Sequence, residues 1–370
     1  MKYYIIAGEA SGDLHGANLI KALHKEDAKA ECRVWGGDLM QDAGGTLVKH
    51  YKDLAFMGFL EVLLNLGTIL KNISFCKKDI ANFQPDVLIF IDYPGFNMRI
   101  AKWAKTQNFK THYYISPQLW AWKENRIHQI KRDIDKMYVI LPFEKTFYEE
   151  KHQMPVEFVG HPLIDEIANR PKTDAKTLRK TYGLSEKPIV ALLPGSRQQE
   201  IKKMLDVMLS VVDAFPEHQF VIAGAPSQAK AFYQKFIKNK NIKLVSNATY
   251  DLLSIAQAAL VTSGTATLET ALFKVPQVVC YKSSWLSYQI GKQVVKLNYI
   301  SLVNLIMERE VVCELIQNDL NTKRLTAELK HILDPKTQQQ LNTEYTALEQ
   351  KLGGTGASQK VAKAVFKALC

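Results

Sequence analysis

Short apolar runs alternate with amphipathic, helix-length segments along almost the whole chain. Apolar runs that end at glycine, proline or an acidic residue are typical of buried parallel strands. Two parallel strands need a long crossover connection, usually a helix, and the intervening segments have the necessary length. The sequence therefore predicts an α/β protein built from βαβ units.

The strand-like runs form two series separated by a polar, proline-containing segment between Asp165 and Lys176. The first series lies at Tyr3–Ala7, Cys32–Gly36, Asp86–Ile91, Lys110–Ile115 and Met137–Leu141. The second lies within KPIVALLPGSR, HQFVIAG, IKLVS, AALVTS and PQVVCYK. We expect two Rossmann-like domains facing each other across a cleft, an N-terminal one over 1–168 and a C-terminal one over 169–355. A C-terminal helix over 356–370 is expected to pack back toward the first domain.

Length and charge narrow the class of protein. A chain of 370 residues is long enough for two domains, each with its own core. The five cysteines are scattered without ligand spacing, which predicts free thiols and no zinc site. The chain enters its first strand without a signal-like segment, so we expect it to stay in the cytoplasm. The net charge of +11 falls almost entirely after residue 165 and suits an anionic ligand, an anionic membrane or a lysine-rich solvated surface.

The first glycine turn lies in YYIIAGEASGDLHGANLIKAL. Gly8, Gly12 and Gly16 depart from the G-x-G-x-x-G spacing of dinucleotide sites. Glu9 and Asp13 also share this turn, where a phosphate would need bare backbone amides. The sequence therefore predicts that this turn does not hold a diphosphate.

Two glycine turns of the second half are better suited to phosphate. In LLPGSRQQE, Gly195 permits close backbone approach, Ser196 can cap the helix or bind an oxygen, and Arg197 can bind phosphate through two hydrogen bonds. The alternative is an ordinary serine cap beside a solvent-facing arginine.

The second turn, SGTATLE, offers the backbone amides of Gly264, Thr265 and Ala266 at a helix start. Glu269, about one turn into that helix, can accept bonds from ribose hydroxyls or simply complement the helix dipole. Together the two turns predict a nucleotide-diphosphate site.

Asp92 ends the apolar strand in PDVLIFIDYPGFN, where it can act as a general base or form a local turn. The next strand and its loop carry aromatic and polar residues that can stack on sugars or pack in the core: His112, Ser116, Gln118, Trp120 and Trp122. Asp133 and Asp135 form a D-x-D pattern in a helix-to-strand connection, where we expect surface carboxylates. We expect no catalytic metal.

The segment DLAFMGFLEVLLNLGTIL is unusually apolar. Its uninterrupted part is shorter than the roughly 20 residues of a membrane span. It can lie on a membrane or bind acyl chains, or it can be a helix buried between layers of the fold.

Eight motifs in order carry a family resemblance: AGEASGD, MGFLEV, PDVLIFIDYPGFN, YYISPQLWAW, LPFE, FVGHPL, LLPGSR and SGTATLE. With them the chain resembles the lipid-A-disaccharide synthases, inverting glycosyltransferases of GT-B architecture, over essentially its whole length. Gln118 departs from the smaller residue that bacterial relatives often have in this loop. The resemblance implies UDP-2,3-diacylglucosamine as donor and 2,3-diacylglucosamine 1-phosphate, lipid X, as acceptor. The products are a β-1,6-linked disaccharide 1-phosphate, on the route to lipopolysaccharide, and UDP.

The resemblance also implies roles for single residues. Asp92 matches the general base for the acceptor 6-hydroxyl and Glu9 an acidic position beside it, although the sequence leaves open which of the two takes the proton. Neighbouring carboxylates, Asp13 among them, would raise the pKa of the base. The implied UDP-binding residues are Ser196, Arg197, Gly264, Thr265, Ala266, Glu269 and Asn304. The implied acyl-chain or membrane contacts are Met57, Phe59, Leu60, Leu63 and Leu64.

The implied enzyme needs no cofactor or metal. It would lie peripherally on the cytoplasmic face of the inner membrane, as a monomer or homodimer. The alternatives are another GT-B UDP-N-acetylglucosamine transferase, a UDP-sugar 2-epimerase, or a basic nucleic-acid-binding protein. The last needs basic and aromatic residues gathered on one face, whereas here the basic residues are dispersed, so no nucleic-acid partner is expected. An epimerase that works in solution has no use for the apolar segment.

Overall fold

A computed structural model describes residues 1–53, 66–122, 124–237, 242–283 and 298–370. The chain forms two compact units. Unit 1 comprises Met1–Asp165 together with Leu352–Cys370, and unit 2 comprises Glu166–Lys351. The chain thus returns to unit 1 slightly before the boundary at 355 that the sequence suggested.

Unit 1 is built on a parallel sheet of seven strands in the order β3-β2-β1-β4-β5-β6-β7. The strands are β1 Lys2–Ala7, β2 Glu31–Gly36, β3 Thr46–His50, β4 Val87–Ile91, β5 Thr111–Tyr114, β6 Lys136–Val139 and β7 Glu157–Phe158. Sequence inspection overlooked β3 because this strand lies at the sheet edge with its side chains only partly buried. The inner strands are apolar throughout, since helices cover both faces of a parallel sheet.

The described helices of unit 1 lie in the connections between these strands, except the last one, which follows unit 2. They are Ala10–Glu26, Asp38–Asp42, Leu66–Phe83, Pro94–Thr106, Leu119–Trp122, Ile127–Asp133, Pro142–Thr146 and Ala357–Lys367. The last of them packs against the first, which confirms the expected return of the C-terminal helix. Asp165 caps it by accepting the backbone N–H groups of Gly356 (2.5 Å) and Ala357 (2.9 Å).

Unit 2 contains a parallel sheet of six strands in the order β10-β9-β8-β11-β12-β13. The strands are β8 Ile189–Leu193, β9 Gln219–Gly224, β10 Ile242–Ser246, β11 Ala258–Thr262, β12 Gln277–Tyr281 and β13 Glu314–Ile316. The described helices are Ala175–Tyr182, Gln198–Leu209, Lys230–Gln234, Thr249–Leu253, Thr265–Leu272, Leu302–Met307, Thr322–Leu333 and Pro335–Lys351, while Pro162–Ala168 spans the division between the units. The sequence did not predict β13, which is too short to give a periodic signal.

Each unit is therefore a doubly wound α/β fold, and the predicted fold class is confirmed. In both sheets the strand order reverses once, between β1 and β4 in unit 1 and between β8 and β11 in unit 2. Ligands of such sheets bind beyond the carboxyl ends of the strands at this switch point. In the described part of the chain, no helix has the length and apolar character that a membrane crossing requires.

Candidate functional site

The switch point of unit 1 brings two acidic residues together. Because β1 and β4 are parallel neighbours with Ala7 opposite Ile91, the residues that follow each strand emerge side by side. Glu9 follows β1 and lies exposed at the N-cap of the helix Ala10–Glu26. Asp92 directly follows β4. The two carboxylates that the sequence identified thus both lie at the carboxyl-terminal ends of the strands of this sheet.

The backbone fixes Asp92 in an unusual conformation. Asp92 has φ +43° and Tyr93 φ +50°, in the left-handed region that non-glycine residues rarely enter. The Asp92 carbonyl accepts hydrogen bonds from the Tyr113 hydroxyl (2.6 Å) and from Nδ2 of Asn97 (2.7 Å). Strained backbone of this kind persists only where surrounding contacts hold it, and it is concentrated at functional sites.

Burial raises the pKa of Asp92 from 3.8 to about 6, and the charge of Glu9 adds to this rise. A hydrogen bond from the backbone N–H of Tyr93 opposes it. A carboxylate with a pKa near 6 is mostly ionised at neutral pH, yet basic enough to accept a proton from a reacting hydroxyl. Contrary to the sequence expectation, Asp13 makes no contribution to the raised pKa.

The first glycine turn is filled by an aromatic ring. A Cβ atom at Gly8 would lie 2.2 Å from Cγ of Tyr93, so only glycine allows the ring to lie against this backbone. Tyr93 also stacks on Phe96, with ring centroids 5.7 Å apart. The space in which a dinucleotide fold would place a phosphate beside this backbone is here occupied by protein.

Asp13 has a structural role at the same edge. It is buried, and its carboxylate accepts backbone N–H groups from Gly37 (2.7 Å), Leu39 (3.2 Å) and Met40 (3.1 Å). These bonds hold the turn after β2 and cap the helix Asp38–Asp42. This explains the second acidic residue of the first turn.

Replacing Asp13 with alanine should therefore destabilise the protein without removing a proposed catalytic group. We expect a loss of about 3 kcal/mol in the free energy of unfolding, because buried N–H groups lose an ionised partner. Urea denaturation measures this loss, and the control is Asp53→Ala, which removes an exposed carboxylate after β3. Equal stability of the two variants would contradict this role for Asp13.

A buried carboxylate, Glu144, joins two loops at this edge. It accepts hydrogen bonds from the Ser116 hydroxyl (2.6 Å) and Nε1 of Trp120 (3.3 Å), and from the backbone N–H groups of Ile140 (3.2 Å) and Leu141 (3.0 Å). Burial raises the pKa of Glu144. The motifs SPQLWAW and LPFE thus meet in one network, which the sequence alone did not reveal.

The structure corrects two other sequence expectations for unit 1. His112 lies inside β5 rather than at its end, and burial lowers its pKa to about 4. Asp133 is buried and pairs with Arg132 (2.6 Å), so it is not a surface carboxylate, whereas Asp135 is exposed. Gln118 is exposed. The side chain of Trp122 lies outside the described residues, and so do the predicted acyl contacts Met57, Phe59, Leu60, Leu63 and Leu64.

The switch point of unit 2 brings the two phosphate-type turns together. Strands β8 and β11 are parallel neighbours with Leu193 opposite Val261, so PGSR and SGTATLE follow adjacent strand ends. Gly195 has φ +102°, and a Cβ atom there would lie 2.9 Å from Oε2 of Glu200. The helices Gln198–Leu209 and Thr265–Leu272 both begin at this edge. Unpaired N–H groups and two helix dipoles favour an anion at such a place.

Arg197, and not Ser196, occupies the N-cap position of the helix Gln198–Leu209. Of the two roles that the sequence left open for Ser196, the helix cap is not formed, because this helix starts one residue later than such a cap requires. Both side chains are exposed. The Arg197 side chain is 73% accessible, and within the described part of the chain its only ion-pair contact is a long one of 3.9 Å to Glu200. The Arg197 guanidinium can thus bind a phosphate without first breaking a strong ion pair.

The second turn presents Gly264 at the N-cap, followed by Thr265 and Ala266 in the first helical turn. The N-cap makes no side-chain cap hydrogen bond within the residues that the structure describes. Thr262, the last residue of β11, has a buried hydroxyl without a partner among the described residues. The edge therefore offers several unused polar groups, of which the sequence had identified only the backbone amides.

Glu269 is mostly buried and accepts a hydrogen bond from the Tyr250 hydroxyl (2.8 Å). Burial raises the pKa of Glu269, and the Tyr250 hydrogen bond opposes that rise. Tyr250 was not identified from the sequence, because it reaches this helix from a distant connection.

Asn304 does not offer its side chain to a ligand, contrary to the sequence expectation. It is fully buried; Nδ2 donates to the carbonyl of Val312 and to Glu314, both at 2.9 Å, while Oδ1 accepts the backbone N–H groups of Val311 (2.8 Å) and Val312 (3.0 Å). All its hydrogen-bonding capacity is used. Asn304 instead holds the connection between the helix Leu302–Met307 and β13.

Glu314 is the centre of that connection. It accepts the backbone N–H groups of Ile300 and Ser301 at 2.9 Å each and the Ser301 hydroxyl at 2.7 Å. The carbonyl of Ile300 accepts a hydrogen bond from the Ser263 hydroxyl (2.8 Å). The network thereby links the segment 300–304 to the SGTATLE turn. Within the described ranges, no group of three or more His, Cys, Asp or Glu side chains is arranged to hold a metal ion.

Comparison with known proteins gives a consistent result. Residues 3–367 match the family model of lipid-A-disaccharide synthetase. The chain is 38% identical to the lipid-A-disaccharide synthase of Geobacter metallireducens over 99% of this chain and 96% of that protein. It is 40% identical to that of Syntrophus aciditrophicus over 97% of this chain and 95% of the relative.

Solved structures share the fold at low sequence identity. A UDP-GlcNAc 2-epimerase from Neisseria meningitidis, bound to UDP-GlcNAc, matches with a TM-score of 0.65 and 13% identity over 100% of this chain and 99% of that one. A glycosyltransferase from Rickettsia africae matches with a TM-score of 0.59 and 13% identity over 100% and 98% of the two chains. These likenesses establish the GT-B type of fold alone.

Proposed function

The chain belongs to the lipid-A-disaccharide synthase family, and from this membership we propose its reaction and the residues that perform it. The proposed enzyme transfers 2,3-diacylglucosamine from UDP-2,3-diacylglucosamine to the 6-hydroxyl of 2,3-diacylglucosamine 1-phosphate. The products are UDP and the β-1,6-linked disaccharide 1-phosphate of lipid A biosynthesis. The observation that carries this proposal is that one chain contains both a strained, high-pKa Asp92 in unit 1 and two adjacent phosphate-type turns in unit 2.

Asp92 is proposed as the general base. Its ionised carboxylate takes the proton of the acceptor 6-hydroxyl as the oxygen attacks the anomeric carbon of the donor. The bond from that carbon to the UDP oxygen breaks in the same displacement, so the configuration inverts and no covalent glycosyl-enzyme forms. Glu9, exposed beside Asp92, raises the basicity of Asp92 through its charge.

The turns of unit 2 are proposed to bind the leaving UDP. Arg197 and the backbone amides of Gly264, Thr265 and Ala266 would stabilise the negative charge that develops on the diphosphate, with Ser196 as a further donor. Preorganised donors of this type stabilise a transition state by several kcal/mol. Glu269, oriented by Tyr250, would accept the ribose hydroxyls. In this proposal Asn304 acts on the donor site only through the position of the segment 300–304.

The direct test is product formation with both substrates. Purified protein in detergent micelles is incubated with UDP-2,3-diacylglucosamine and radiolabelled lipid X in the presence of EDTA, and the disaccharide is separated by thin-layer chromatography. Formation of the disaccharide supports the reaction without a metal. Failure to form it while UDP still binds would favour another UDP-sugar enzyme, and epimerisation of UDP-N-acetylglucosamine in a parallel reaction would identify a 2-epimerase.

Replacing Glu9 with glutamine tests the electrostatic part of the mechanism. Removing the negative charge of Glu9 makes ionisation of Asp92 easier, so the pKa of Asp92 should fall from about 6 toward its ordinary value. The acidic limb of the kcat–pH profile should therefore move to lower pH. Glu31→Gln, which removes an exposed carboxylate far from this edge, is the control and should leave the profile unchanged. A shift to higher pH in Glu9→Gln would contradict the assigned charge effect.

We propose that the helix Leu66–Phe83, which begins within the end of the apolar segment that the sequence identified, carries the membrane contact of unit 1. Leu70 is 57% and Phe75 48% exposed on this helix, so both apolar side chains are accessible to a membrane surface. Replacing both with serine should reduce sedimentation with vesicles of phosphatidylglycerol and phosphatidylethanolamine several-fold. Leu39→Ser, on another helix and 45% exposed, is the matched control. Equal loss in the control would refute this assignment.

A further inference from the structure

A cationic groove of about 580 Å³ lies in unit 1, away from the proposed active site. The helix Ala357–Lys367 forms one wall, and strands β6 and β7 form the other. The charged side chains that line it are Lys136, Lys360, Lys363, Lys367 and Glu157. Among the described residues, four ammonium groups and one carboxylate therefore line this space. We propose that this groove binds a phosphate-bearing ligand, a function beyond the proposed sugar transfer.

The lysines of the groove are available for a ligand. Within the residues that the structure describes, Lys136, Lys363 and Lys367 have no ion-pair partner. Lys360 donates one hydrogen bond, to the carbonyl of Gly353 (3.2 Å), and its charge is not neutralised by it. An anion entering the groove would meet positive charge without displacing a protein carboxylate.

The spacing of the lysines opposes the stability of the helix that carries them. Lys360, Lys363 and Lys367 follow one another at three and four residues, so their side chains lie on one face, where like charges repel. The opposite face is fixed, because Val361 and Val365 are buried. The repulsion cannot be relieved by rotating the helix, whereas a bound anion would relieve it.

The groove lies at the amino-terminal ends of the strands, whereas Asp92 lies at their carboxyl-terminal ends. Lys136 is the first residue of β6, and Lys110, directly before β5, donates to the carbonyl of Ala368 (3.4 Å) at the end of the C-terminal segment. Asp92 instead follows the last residue of β4. Since all strands of this sheet are parallel, these positions are separated by the length of a strand. The groove is therefore a separate site and not part of the acceptor pocket.

Lysine ammonium groups favour phosphate as the ligand chemistry. They act as flexible point charges that bind the many oxygens of a phosphate, with less demand on geometry than a planar guanidinium. The volume lies within the range of about 300–1,000 Å³ of small-molecule sites and exceeds the needs of a single inorganic ion. The phosphate can belong to a soluble phosphorylated compound or to a phospholipid headgroup.

The test compares two probes on the full chain. Pyrophosphate is titrated while the amide resonances of Ala364 and Ala368, which line the groove, are followed by NMR, so that binding at the donor turns of unit 2 does not interfere. Vesicles of phosphatidylglycerol are compared with vesicles of phosphatidylcholine in a sedimentation assay. The variant is Lys363→Gln combined with Lys367→Gln. The control is Lys323→Gln combined with Lys330→Gln, two exposed lysines on a helix of unit 2 with the same change of charge.

We expect saturable shifts of both amides with pyrophosphate, or selective binding of phosphatidylglycerol vesicles. In either case the affinity for the probe that binds should fall at least tenfold in the groove variant and stay unchanged in the control. Response to pyrophosphate identifies a soluble ligand, and response to vesicles alone identifies a lipid headgroup. Absence of saturable binding to both probes would overturn the proposal, as would equal loss in the control, which would indicate a general charge effect. Sugar transfer in micelles should be the same in both variants, which also verifies that they fold.

Discussion

Replacing Asp92 with asparagine is expected to slow sugar transfer by about 10²–10⁴-fold while UDP binding stays intact. The amide cannot accept the proton of the acceptor hydroxyl, yet it has nearly the shape of the carboxylate. Asparagine also tolerates the positive φ of this position, so the backbone at +43° is preserved. Single-turnover rates with saturating donor and acceptor measure the effect.

The pH dependence provides a second measurement on the same residue. With the pKa of Asp92 at about 6, the wild-type kcat should fall about tenfold for each pH unit below 6, and the residual rate of the variant should lack this dependence. Wild-type turnover in Asp92→Asn would contradict the assignment. The same loss in Glu9→Gln would instead indicate that Glu9 takes the proton.

The same substitution should stabilise the fold above pH 6. Because the pKa of Asp92 is raised from 3.8 to about 6, the folded state holds a proton between these values that the unfolded state does not. Stability from this residue is therefore present at low pH and lost as the pH rises through 6. The asparagine side chain avoids the cost of the buried charge, so Asp92→Asn should be more stable than the wild type at pH 7.5 by about 1–3 kcal/mol and equal to it near pH 4. A destabilised variant at pH 7.5 would oppose this account.

Replacing Arg197 with alanine is the second large effect that we expect. Loss of a charged donor to the diphosphate should weaken UDP binding about 10–100-fold and lower kcat/KM by about 10²–10³-fold. Stability should change by less than about 0.5 kcal/mol, because the side chain is 73% exposed and its one ion-pair contact among the described residues is the distant one with Glu200. Isothermal titration with UDP and steady-state kinetics separate these quantities.

Two variants make the Arg197 result specific. Lys202→Ala removes an exposed cation from the second turn of the same helix and should leave UDP affinity nearly unchanged. Arg197→Lys keeps the charge but loses the two-pronged geometry, so it should restore affinity only partly. If Lys202→Ala weakens UDP binding as strongly as Arg197→Ala, the effect is a general one of positive charge and not a contact with the diphosphate.

The sequence was sufficient to find the strand ends that carry chemistry. Asp92, Gly195 and Gly264 each follow an apolar run, and such runs are strands wherever both faces of a sheet are covered. It was less informative about edges: β3 and β13 are short or half buried, so they lack a continuous apolar signal. It also misjudged polar residues whose partners are distant in the chain. Asn304 looked like a ligand-binding side chain, and Asp13 looked like a neighbour of the base.

The sequence by itself determined the α/β class, the two sheets, the family and the residues at the turns. The reason is that the spacing of apolar residues, the residue types at turns and the order of motifs can all be read along the chain. The tertiary structure alone decided what each carboxylate does. Asp13 is occupied by three backbone amides, Glu144 by two loops and Glu314 by the segment 300–304, whereas Asp92 is left with a raised pKa beside Glu9. The physical reason is that burial and hydrogen-bond partners, and not residue type, set the charge and availability of a carboxyl group, and these partners come from strands and loops far apart in sequence.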